Sequence, residues 1–555
     1  MKNILQYLFL FSVTFLFSDS SIKKKADLNS EIDIKILEKS FDLFKINYVD
    51  SLVDEEIIKA GIKGMLNQVD PYTKLLVESS KDNVDALRTG KYGGIGIQMG
   101  LVRDSLTVFS TFENSPAYFE GLNVGDYIMK IDTTFTDGLT VSECSKLIKG
   151  KLGTDVLLTV YRPGTREKIE FALTRDNIQL KKVPYWGLDQ GVGYVRLTKF
   201  SKNSDKDFKN ALIDLNNNNL EGLIIDLRGN SGGLLNVSKN ILEYFTNRGE
   251  LLFTQKGKTS RSNKEYISRR KAIIDEDIPI VVLEDKNSAS ASEIVSGSLQ
   301  DLDRAVIMGQ TTFGKGLVQH IYDLNEETSL RITTAKYYLP SGRIIQKQDY
   351  LNNGFLTDGL DKNDSTFVTK KGRIVFGGGG VQPDIVTTKT VKSNYINALW
   401  RNKVFLTFGS IYIANHPDLK LPVDVNDHLI SDFKKFLETY KIDYLLPGES
   451  EYNKMKNKIN ANNISINPLS KHISINKNYN DLKFMDDYFK QLKEVQFYLP
   501  HNKKEIKYGI IREFSKILGG EREQIKASLY NDSEYIEAKK LLLNKEKYYS
   551  ILSVE

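Results

Sequence analysis

The spacing of hydrophobic residues changes along the chain and predicts regions of different structure. In residues 27–85, apolar side chains recur at three- and four-residue intervals, which predicts amphipathic helices. Residues 88–176 show short alternating runs separated by glycine, which predicts one β-rich domain. Residues 180–388 alternate between strand-like and helix-like runs and favour an α/β layer structure. Residues 390–555 have mostly helical spacing and little glycine, and their pattern assigns them no role.

Turn residues and apolar runs place individual elements within these regions. Ser115-Pro116 predicts a capped short helix that Gly121 closes, and Leu139–Ile148 predicts a second helix. Val69-Asp70-Pro71-Tyr72 predicts the end of an N-terminal helix, since proline disfavours helix at the preceding residue. Buried strands of the α/β region are predicted at Gly193–Leu197, Leu223–Leu227 and Ile278–Leu283.

The first twenty residues have the pattern of a secretory signal. Met1-Lys2-Asn3 precedes the apolar run Ile4–Phe17, which is too short to span a bilayer, and Ser18-Asp19-Ser20 follows. We expect residues 1–20 to direct export to the periplasm or the periphery of the cell envelope, with no integral membrane span after removal. A buried N-terminal helix remains an alternative, and retention of the segment as an anchor stays open.

Composition narrows the functional classes. A chain of 555 residues exceeds the size of one hydrophobic core, so we expect several domains. The net charge of +6 is small for this length and does not favour nucleic-acid binding. The single cysteine, Cys144, excludes an internal disulfide and is expected to be a buried hydrophobe. No metal, nucleotide or cofactor motif is present, so we expect no cofactor.

A glycine-rich segment after the second predicted strand offers one candidate nucleophile. Residues 229–233, Gly-Asn-Ser-Gly-Gly, match the G-x-S-x-G motif of α/β-hydrolases, which would use Ser231 with His320. A chymotrypsin-like order is excluded, because His320 and the other histidines all follow Ser231. The loop also suits a second role, since consecutive glycines expose N–H groups as an oxyanion hole requires.

A serine-rich segment follows the third predicted strand. Residues 287–294 read Asn-Ser-Ala-Ser-Ala-Ser-Glu-Ile and open a helix. Its N-terminus favours developing negative charge, so a hydroxyl there suits nucleophilic attack. The same residues also suit capping, in which Ser288, Ser290 or Ser292 caps the helix with help from Glu293. The segment alone leaves both interpretations open.

A lysine between two glycines favours catalysis. Lys315 lies between Gly314 and Gly316 and beside Phe313, which implies close backbone approach and an apolar setting. A desolvated lysine can be neutral near pH 7 and act as general base to a serine. Gln319 could accept a hydrogen bond from its amine. A glycine turn with a solvated lysine is the alternative.

Together these segments resemble the carboxy-terminal processing peptidases, also called tail-specific proteases. The resemblance runs from about residue 35 to 388, with the motifs in family order. They are Val69-Asp70-Pro71-Tyr72-Thr73, Gly93-Gly94-Ile95-Gly96-Ile97, Ser115-Pro116-Ala117, Gly121-Leu122, Gly125-Asp126, Gly193–Leu197, Asp226–Gly233, the serine-rich run, Phe313–Gly316 and Gly380–Asp384. The family more usually has Pro-His-Ser where this chain has Pro-Tyr-Thr.

The resemblance implies an α/β peptidase core at 180–388 and a PDZ-like domain at 88–176. It implies that Ser290 is the nucleophile, Lys315 the base and Gln319 its partner, with Asp301 as structural support. Gly232 or Gly233 with the N–H of Ala291 would form the oxyanion hole. The loop Gly94, Ile95, Gly96 and Ile97 would bind the carboxylate of a substrate tail by β-augmentation.

The resulting prediction is a multidomain α+β serine endopeptidase that binds proteins or peptides with free apolar C-termini. A non-catalytic exported PDZ adaptor is the rival, although Ser290, Lys315 and Gln319 are all present. Residues 390–555 lie outside the resemblance. An adaptor contact there and homo-oligomer formation both remain open.

Overall fold

The computed structural model describes residues 33–77, 91–179, 181–325, 327–347, 366–388, 391–461 and 480–553. The predicted signal segment, residues 1–20, lies outside these ranges. Across the described ranges, no helix combines the length and apolarity needed to cross a membrane. The chain divides into a smaller unit, Met1–Val77 with Ile321–Ile332, and a larger unit that contains the rest.

The N-terminal part of the smaller unit contains two helices and a strand. Residues 33–47 and Asp54–Leu66 are helical, as the apolar spacing predicts. The Asp70 carboxylate accepts hydrogen bonds from the N–H groups of Tyr72 (2.8 Å) and Thr73 (2.9 Å) and so stabilises the turn after the second helix. The strand Lys74–Val77 then pairs antiparallel with residues 328–331. The helical prediction missed this strand, because its pairing partner is remote in sequence.

The β-rich domain is a sheet with two short helices. Its strands, in spatial order, are Ile97–Val102, Ser105–Thr111, Tyr127–Ile131, Asp155–Arg162 and Glu167–Thr174, with Thr134–Phe135 beside Tyr127–Ile131. Lys91–Gly94 and Asp176–Gln179 form a separate pair. The helices are Pro116–Phe119, which Ser115 caps, and Val141–Ile148, in which Cys144 is buried as predicted.

A six-stranded sheet forms the centre of the α/β region. Its order is Tyr185–Asp189, Val192–Arg196, Gly222–Asp226, Ile280–Glu284, Val306–Gly309 and Ile385–Val386. Only the first pair is antiparallel; all other pairs run parallel. The central strands are buried on both faces, which explains their continuous β-branched runs.

Helices from distant parts of the chain cover the two faces of this sheet. Ser204–Asn217, Leu235–Leu242 and Ala291–Asp301 pack on one face. The other face is covered by the last two helices, Ser533–Leu543 and Lys545–Leu552. The C-terminal helices therefore complete the α/β core, which the helical spacing of residues 390–555 does not reveal.

The remaining elements flank this core. A second sheet contains the strands Leu251–Gly257, Lys264–Ile267, Leu317–Asp323 and Thr328–Tyr338. Residues Ser260–Ser262 form a short 3₁₀ turn. A separate two-stranded pair is formed by Thr366–Val368 and Ile374–Phe376. The C-terminal helices are Asn394–Arg401, Val404–Asn415, Asp427–Thr439, Glu449–Ala461, Asn480–Val495 and Pro500–Leu529, with a 3₁₀ turn at Gln496–Tyr498. Gly520 interrupts the longest with non-helical dihedral angles. Phe405, Phe408, Phe433 and Phe514 form much of their core.

Candidate active site

Three loops meet where parallel strands of the six-stranded sheet end. They comprise residues 227–234, 285–290 and 310–316, which follow Gly222–Asp226, Ile280–Glu284 and Val306–Gly309. The N–H of Ala289 donates to the carbonyl of Asn230 (3.1 Å), and the N–H of Phe313 donates to that of Ser288 (3.0 Å). Such crevices at the carboxyl ends of strands are the usual ligand sites of α/β folds.

Ser290 differs from its two neighbouring serines in exposure and in backbone geometry. Ser288 and Ser292 are fully buried, and their hydroxyls donate to the carbonyls of Leu227 (2.9 Å) and Asn230 (2.8 Å). Ser290 is partly exposed and lies at the N-terminus of Ala291–Asp301 with φ 57° and ψ −113°. A non-glycine residue in such a conformation costs about 1–3 kcal/mol and is typical of functional positions.

Glu293 joins the loop of Ser290 to the loop of Lys315. One of its carboxylate oxygens accepts from the N–H groups of Ser290 (2.6 Å) and Lys315 (3.0 Å). The other accepts from the hydroxyl of Thr312 (2.5 Å) and the N–H of Gly314 (2.7 Å). Burial raises the pKa of Glu293 to about 7, although these four donors favour its charged form.

Lys315 is held by its backbone on both sides. Its N–H donates to Glu293, and its carbonyl accepts from the hydroxyl of Tyr337, which also lies 3.2 Å from the carbonyl of Ser290. The flanking glycines do permit close approach. A Cβ at Gly314 would lie 2.8 Å from that of Lys347, and one at Gly316 would lie 3.0 Å from the N atom of Gln346.

The sequence predicts that Phe313 helps to bury Lys315, and the structure corrects this. The Phe313 side chain is 49% exposed, whereas Tyr337 is 1% exposed. The N–H groups of Phe313 and Gly314 point inward to Ser288 and Glu293, so the phenyl ring is left on the outer side of the loop. The aromatic residue next to Lys315 on the inner side is therefore Tyr337.

Gln319 and His320 lie on the strand that follows Lys315. The side-chain amide of Gln319 donates to the hydroxyl of Thr333 at 3.4 Å. His320 is exposed, and its Nδ1 lies 2.8 Å from the hydroxyl of Thr334. The hydroxyl of Ser231 instead accepts a hydrogen bond from the amine of Lys199 at 2.7 Å. An α/β-hydrolase would pair Ser231 with His320. In the structure, Ser231 contacts Lys199 instead.

The glycine loop lies directly against Ser290. A Cβ at Gly232 would be 2.5 Å from the carbonyl oxygen of Ala289 and 2.9 Å from the Cβ of Ser290. The N–H of Gly232 donates to the side chain of Asn230 (3.0 Å). The N–H groups of Gly233 and Ala291 donate to no acceptor within the described ranges. Two backbone donors are therefore available beside Ser290.

Buried ion pairs fix the ends of the elements that carry these loops. Asp301, at the end of the helix Ala291–Asp301, pairs with Arg343 at 2.8 Å and accepts from the N–H of Ser341 at 3.0 Å. Burial raises the pKa of Asp301, and Arg343 opposes that rise. These contacts agree with a structural role for Asp301.

Arg228, which opens the glycine loop, connects it to the C-terminal helices. Its guanidinium pairs with Asp226 (2.7 Å), Asp532 (2.6 Å) and Glu534 (2.5 Å). Burial disfavours the charge of Asp226, but Arg228 and Arg196 outweigh it and hold the pKa of that carboxyl well below its usual range. These ion pairs thus connect the loop that carries Gly232 and Gly233 to Asp532 and Glu534 in the C-terminal helices.

The β-rich domain has an edge strand that lies next to a helix. The strand Ile97–Val102 forms the edge of its sheet, and the helix Val141–Ile148 packs beside it. At the start of this strand, Gly96 has φ 81°, and a Cβ there would lie 2.1 Å from the Cβ of Ser115. Within the described part of the chain, the N–H groups of Ile95 and Gly96 donate to no acceptor, whereas their carbonyls accept from Ala117 and Phe112.

Family models match three consecutive parts of the chain. Residues 93–173 match the PDZ domain, and residues 191–355 match peptidase family S41. Residues 395–542 match the model described as the C-terminal helical domain of a probable PDZ-protease. The region to which sequence pattern gave no role therefore corresponds to a domain found in proteins of this kind.

Two individual relatives agree with these matches. A carboxy-terminal-processing protease of Bartonella bacilliformis is 37% identical over 311 residues, which cover 55% of this chain and 71% of the relative. The carboxy-terminal processing protease CtpB of Bacillus subtilis is 31% identical over 342 residues, which cover 59% of this chain and 69% of the relative. A solved photosystem II D1 C-terminal processing protease aligns with 24% identity over 63% of this chain and 91% of its own, at a TM-score of 0.34.

Proposed function

The chain belongs to the carboxy-terminal processing proteases of peptidase family S41, and from that membership we propose that Ser290 is its nucleophile and Lys315 its general base. It is a serine protease with a PDZ domain. The observation that best supports the two residues is their shared contact with Glu293. One carboxylate oxygen holds the N–H groups of Ser290 and Lys315 at 2.6 and 3.0 Å, which fixes the two loops relative to each other.

The proposed reaction uses Ser290 and Lys315 in turn. Neutral Lys315 takes the proton of the Ser290 hydroxyl as its oxygen attacks the scissile carbonyl, and then passes that proton to the leaving amine. The acyl-enzyme that remains is hydrolysed by a water molecule, which Lys315 deprotonates in turn. Gln319 orients the amine of Lys315. The strained backbone of Ser290 presents its hydroxyl at a helix N-terminus, where developing negative charge is stabilised.

The oxyanion hole is built from backbone donors. Ala291 is the first residue of its helix, so its N–H has no partner within that helix. Together with a glycine N–H it would bind the tetrahedral oxyanion. Gly233 has a free N–H, whereas Gly232 would first have to release Asn230. We therefore favour Gly233 over Gly232 as the second donor.

The PDZ domain selects substrates by their carboxy termini. The N–H groups in the loop Gly94–Ile97 would bind the terminal carboxylate, and the tail would add a strand to the edge strand Ile97–Val102. Met99 and Val141 pack against the core of this domain but are only partly buried, so their remaining apolar surface favours an apolar last residue. Binding there raises the effective concentration of the tail at Ser290.

The cellular setting is part of the same proposal. The pattern of residues 1–20 supports export to the periplasm or the envelope periphery. The helical region 390–555 offers a surface for an adaptor or for a second copy of the chain. Physiological substrates are proteins that end in free apolar tails.

Hydrolysis of an unfolded protein with such a tail tests the assignment. Ser290→Ala and Lys315→Ala should each abolish cleavage, while their circular dichroism and melting temperature match the wild type. Cleavage by wild type should also fall when the tail is amidated, because the PDZ loop then loses its carboxylate. Activity in Ser290→Ala would refute the nucleophile, and equal rates on free and amidated tails would refute tail selection.

Ser231 is the second candidate nucleophile, since Lys199 lies 2.7 Å from its hydroxyl. It has neither a helix N-terminus nor a strained backbone of its own, and we expect Ser231→Ala to retain substantial activity. His320→Ala should likewise remain active, because the His320 ring is exposed and contacts Thr334. A folded His320→Ala variant without turnover would show that a histidine is the base.

A further inference from the structure

Two lysines flank the glycine loop without an ion-pair partner. The hydroxyl and N–H of Thr198 both contact the carbonyl of Lys182 (3.2 and 2.9 Å), so Lys182 and Lys199 lie on adjacent segments. Both are half-buried. Neither forms a salt bridge with any described residue. Burial lowers the pKa of each lysine, and the nearby charge of Lys199 lowers that of Lys182 further.

Lys199 is close to the proposed nucleophile, and Lys182 lies on the segment beside it. The amine of Lys199 donates to Ser231 at 2.7 Å, and Ser231 precedes Gly232, whose added Cβ would lie 2.9 Å from that of Ser290. The backbone of Phe200 follows the same loop, donating to the carbonyl of Gly232 at 3.2 Å and accepting from Leu234 at 2.6 Å. A chain bound across Ser290 would therefore pass the amine of Lys199.

The surroundings are positive as well. The carboxylate of Glu521 interacts electrostatically with Lys182, Lys516, Lys181 and Arg196. Arg196 already pairs with Asp226 (2.8 Å) and Lys181 with Glu113 (2.5 Å). Lys182, Lys199 and Lys516 form no ion pair with any described residue. Two carboxylates act on this group: Glu521 on Lys182 and Lys516, and Glu513 on Lys516, although Glu513 already pairs with Arg512. Half-buried unpaired ammonium groups are costly, and an incoming carboxylate would relieve that cost.

We propose that Lys182 and Lys199 form a binding site for acidic side chains of the substrate, next to the scissile bond. The proposal rests on Ser290 as nucleophile and adds a second element of specificity to tail recognition. Aspartate or glutamate close to the cleavage point would form charge-assisted hydrogen bonds with the lysine amines. The preferred substrates would thus combine an apolar carboxy terminus with an acidic cleavage region.

The test uses the full chain and two peptides with the same free apolar tail. One carries Asp and Glu around the cleavage point, and the other carries Asn and Gln. In wild type, kcat/KM should favour the acidic peptide by about tenfold, the size of one hydrogen bond to a charged group. That ratio should shrink as ionic strength rises, because salt screens partly exposed charges. It should also fall towards one in Lys199→Gln and in Lys182→Gln.

Lys202→Gln is the matched control, because Lys202 is exposed on the same segment and should keep the wild-type ratio. Amidated versions of both peptides separate side-chain carboxylates from the terminal one: the ratio should persist when the tail is blocked. Cleavage of both peptides at equal rates, still lost in Ser290→Ala, would overturn the lysine site and leave the proposed nucleophile intact. If Lys199→Gln loses cleavage of both peptides equally, Lys199 takes part in catalysis together with Ser231. That result would overturn both the lysine binding site and Ser290 as nucleophile.

Discussion

Glu293 receives hydrogen bonds from both of the segments that carry the proposed nucleophile and base. Its two oxygens accept four donors, and three of these are backbone N–H groups. The side chain is fully buried, so no water molecule can take its place as the acceptor for these donors. A group that acts through Ser290 and Lys315 in this way is a positioning residue.

Glu293→Gln should lower kcat by about tenfold or more, since its amide NH₂ would face donors and leave at least one unsatisfied. The pH dependence of wild-type activity should also reflect the titration of Glu293. As the pH falls through about 7, Glu293 gains a proton and its oxygens hold the loops less well, so activity should fall. A circular dichroism melt separates this effect from unfolding. An unchanged kcat in a folded Glu293→Gln variant would contradict the positioning role.

Stability should depend on the pH in the opposite direction. The pKa of Glu293 rises from 4.5 to about 7 on folding, so between these values the unfolded chain releases a proton that the folded chain keeps. The free energy of unfolding should therefore fall by about 3 kcal/mol across this window and level off above it. Denaturant unfolding of wild type and Glu293→Gln at several pH values checks this, because the variant should lack that slope.

The sequence predicts Ser290 and Lys315 as nucleophile and base through motif and spacing, but it does not predict the groups that contact them. Glu293 appears in the sequence only as a capping partner, because its contacts to Thr312 and Gly314 cross between two loops. Tyr337 and Lys199 have no local signal, since each makes its contact with a residue more than twenty positions away along the chain. The burial expected from Phe313 was wrong for the same reason: sequence adjacency does not determine which side of a loop faces inward.

At the scale of elements, Tyr548 links the last helix to the central sheet. Its hydroxyl accepts from the N–H of Ile280 and donates to the carbonyl of the same residue, both at 2.9 Å. Ile280 begins the strand that leads to the loop of Ser290. Burial raises the pKa of Tyr548 to about 12, so the hydroxyl keeps its proton in the physiological range.

Tyr548→Phe should lower the free energy of unfolding by about 1–3 kcal/mol, because two buried backbone groups of Ile280 would lose their partner. Tyr549→Phe is the matched control. The Tyr549 hydroxyl also bonds to a backbone carbonyl, that of Asp277 at 3.1 Å, but its side chain is 41% exposed and water can replace it. Urea titration of both variants measures the difference. Equal losses would show that the Ile280 contact does not stabilise the sheet.

The elements themselves were predictable to different degrees. The strands Val192–Arg196, Gly222–Asp226 and Ile280–Glu284 were predicted because burial on both faces leaves a continuous β-branched run. The helices predicted in residues 390–555 were also confirmed in the described parts, 391–461 and 480–553. Spacing shows that a helix has an apolar face, however, and not which surface covers it. The packing of Leu542 and Tyr548 on the sheet therefore required the structure.

Within the larger unit, the PDZ domain is docked on the C-terminal helical domain. The guanidinium of Arg103 lies 3.5 Å from the ring centroid of Tyr440 and donates to the carbonyl of Lys441 at 2.6 Å. A Cβ at Gly125 would lie 2.4 Å from the Cβ of Ser410, so the two backbones approach closely there. The helical domain therefore restrains the position of the domain that binds the tail.

Arg103→Ala should loosen this docking, since it removes both the ring contact and the hydrogen bond. Amide hydrogen exchange near residues 440–441 and 103–104 should accelerate, and cleavage of free-tailed substrate should change while a tail-blocked peptide is cleaved as before. Lys168→Ala, at an exposed position of the PDZ domain, serves as control. Unchanged exchange in Arg103→Ala would show that the contact does not restrain the domain.

Trapping the acyl-enzyme would identify the nucleophile by its covalent adduct. Wild-type enzyme is mixed with a peptide ester that ends in a free apolar tail, quenched in acid and digested, and the peptides are mapped by tandem mass spectrometry. We expect an acyl adduct on Ser290 that is absent from Ser290→Ala and retained in Ser231→Ala. An adduct on Ser231 that persists in Ser290→Ala would instead show that Ser231 is the nucleophile.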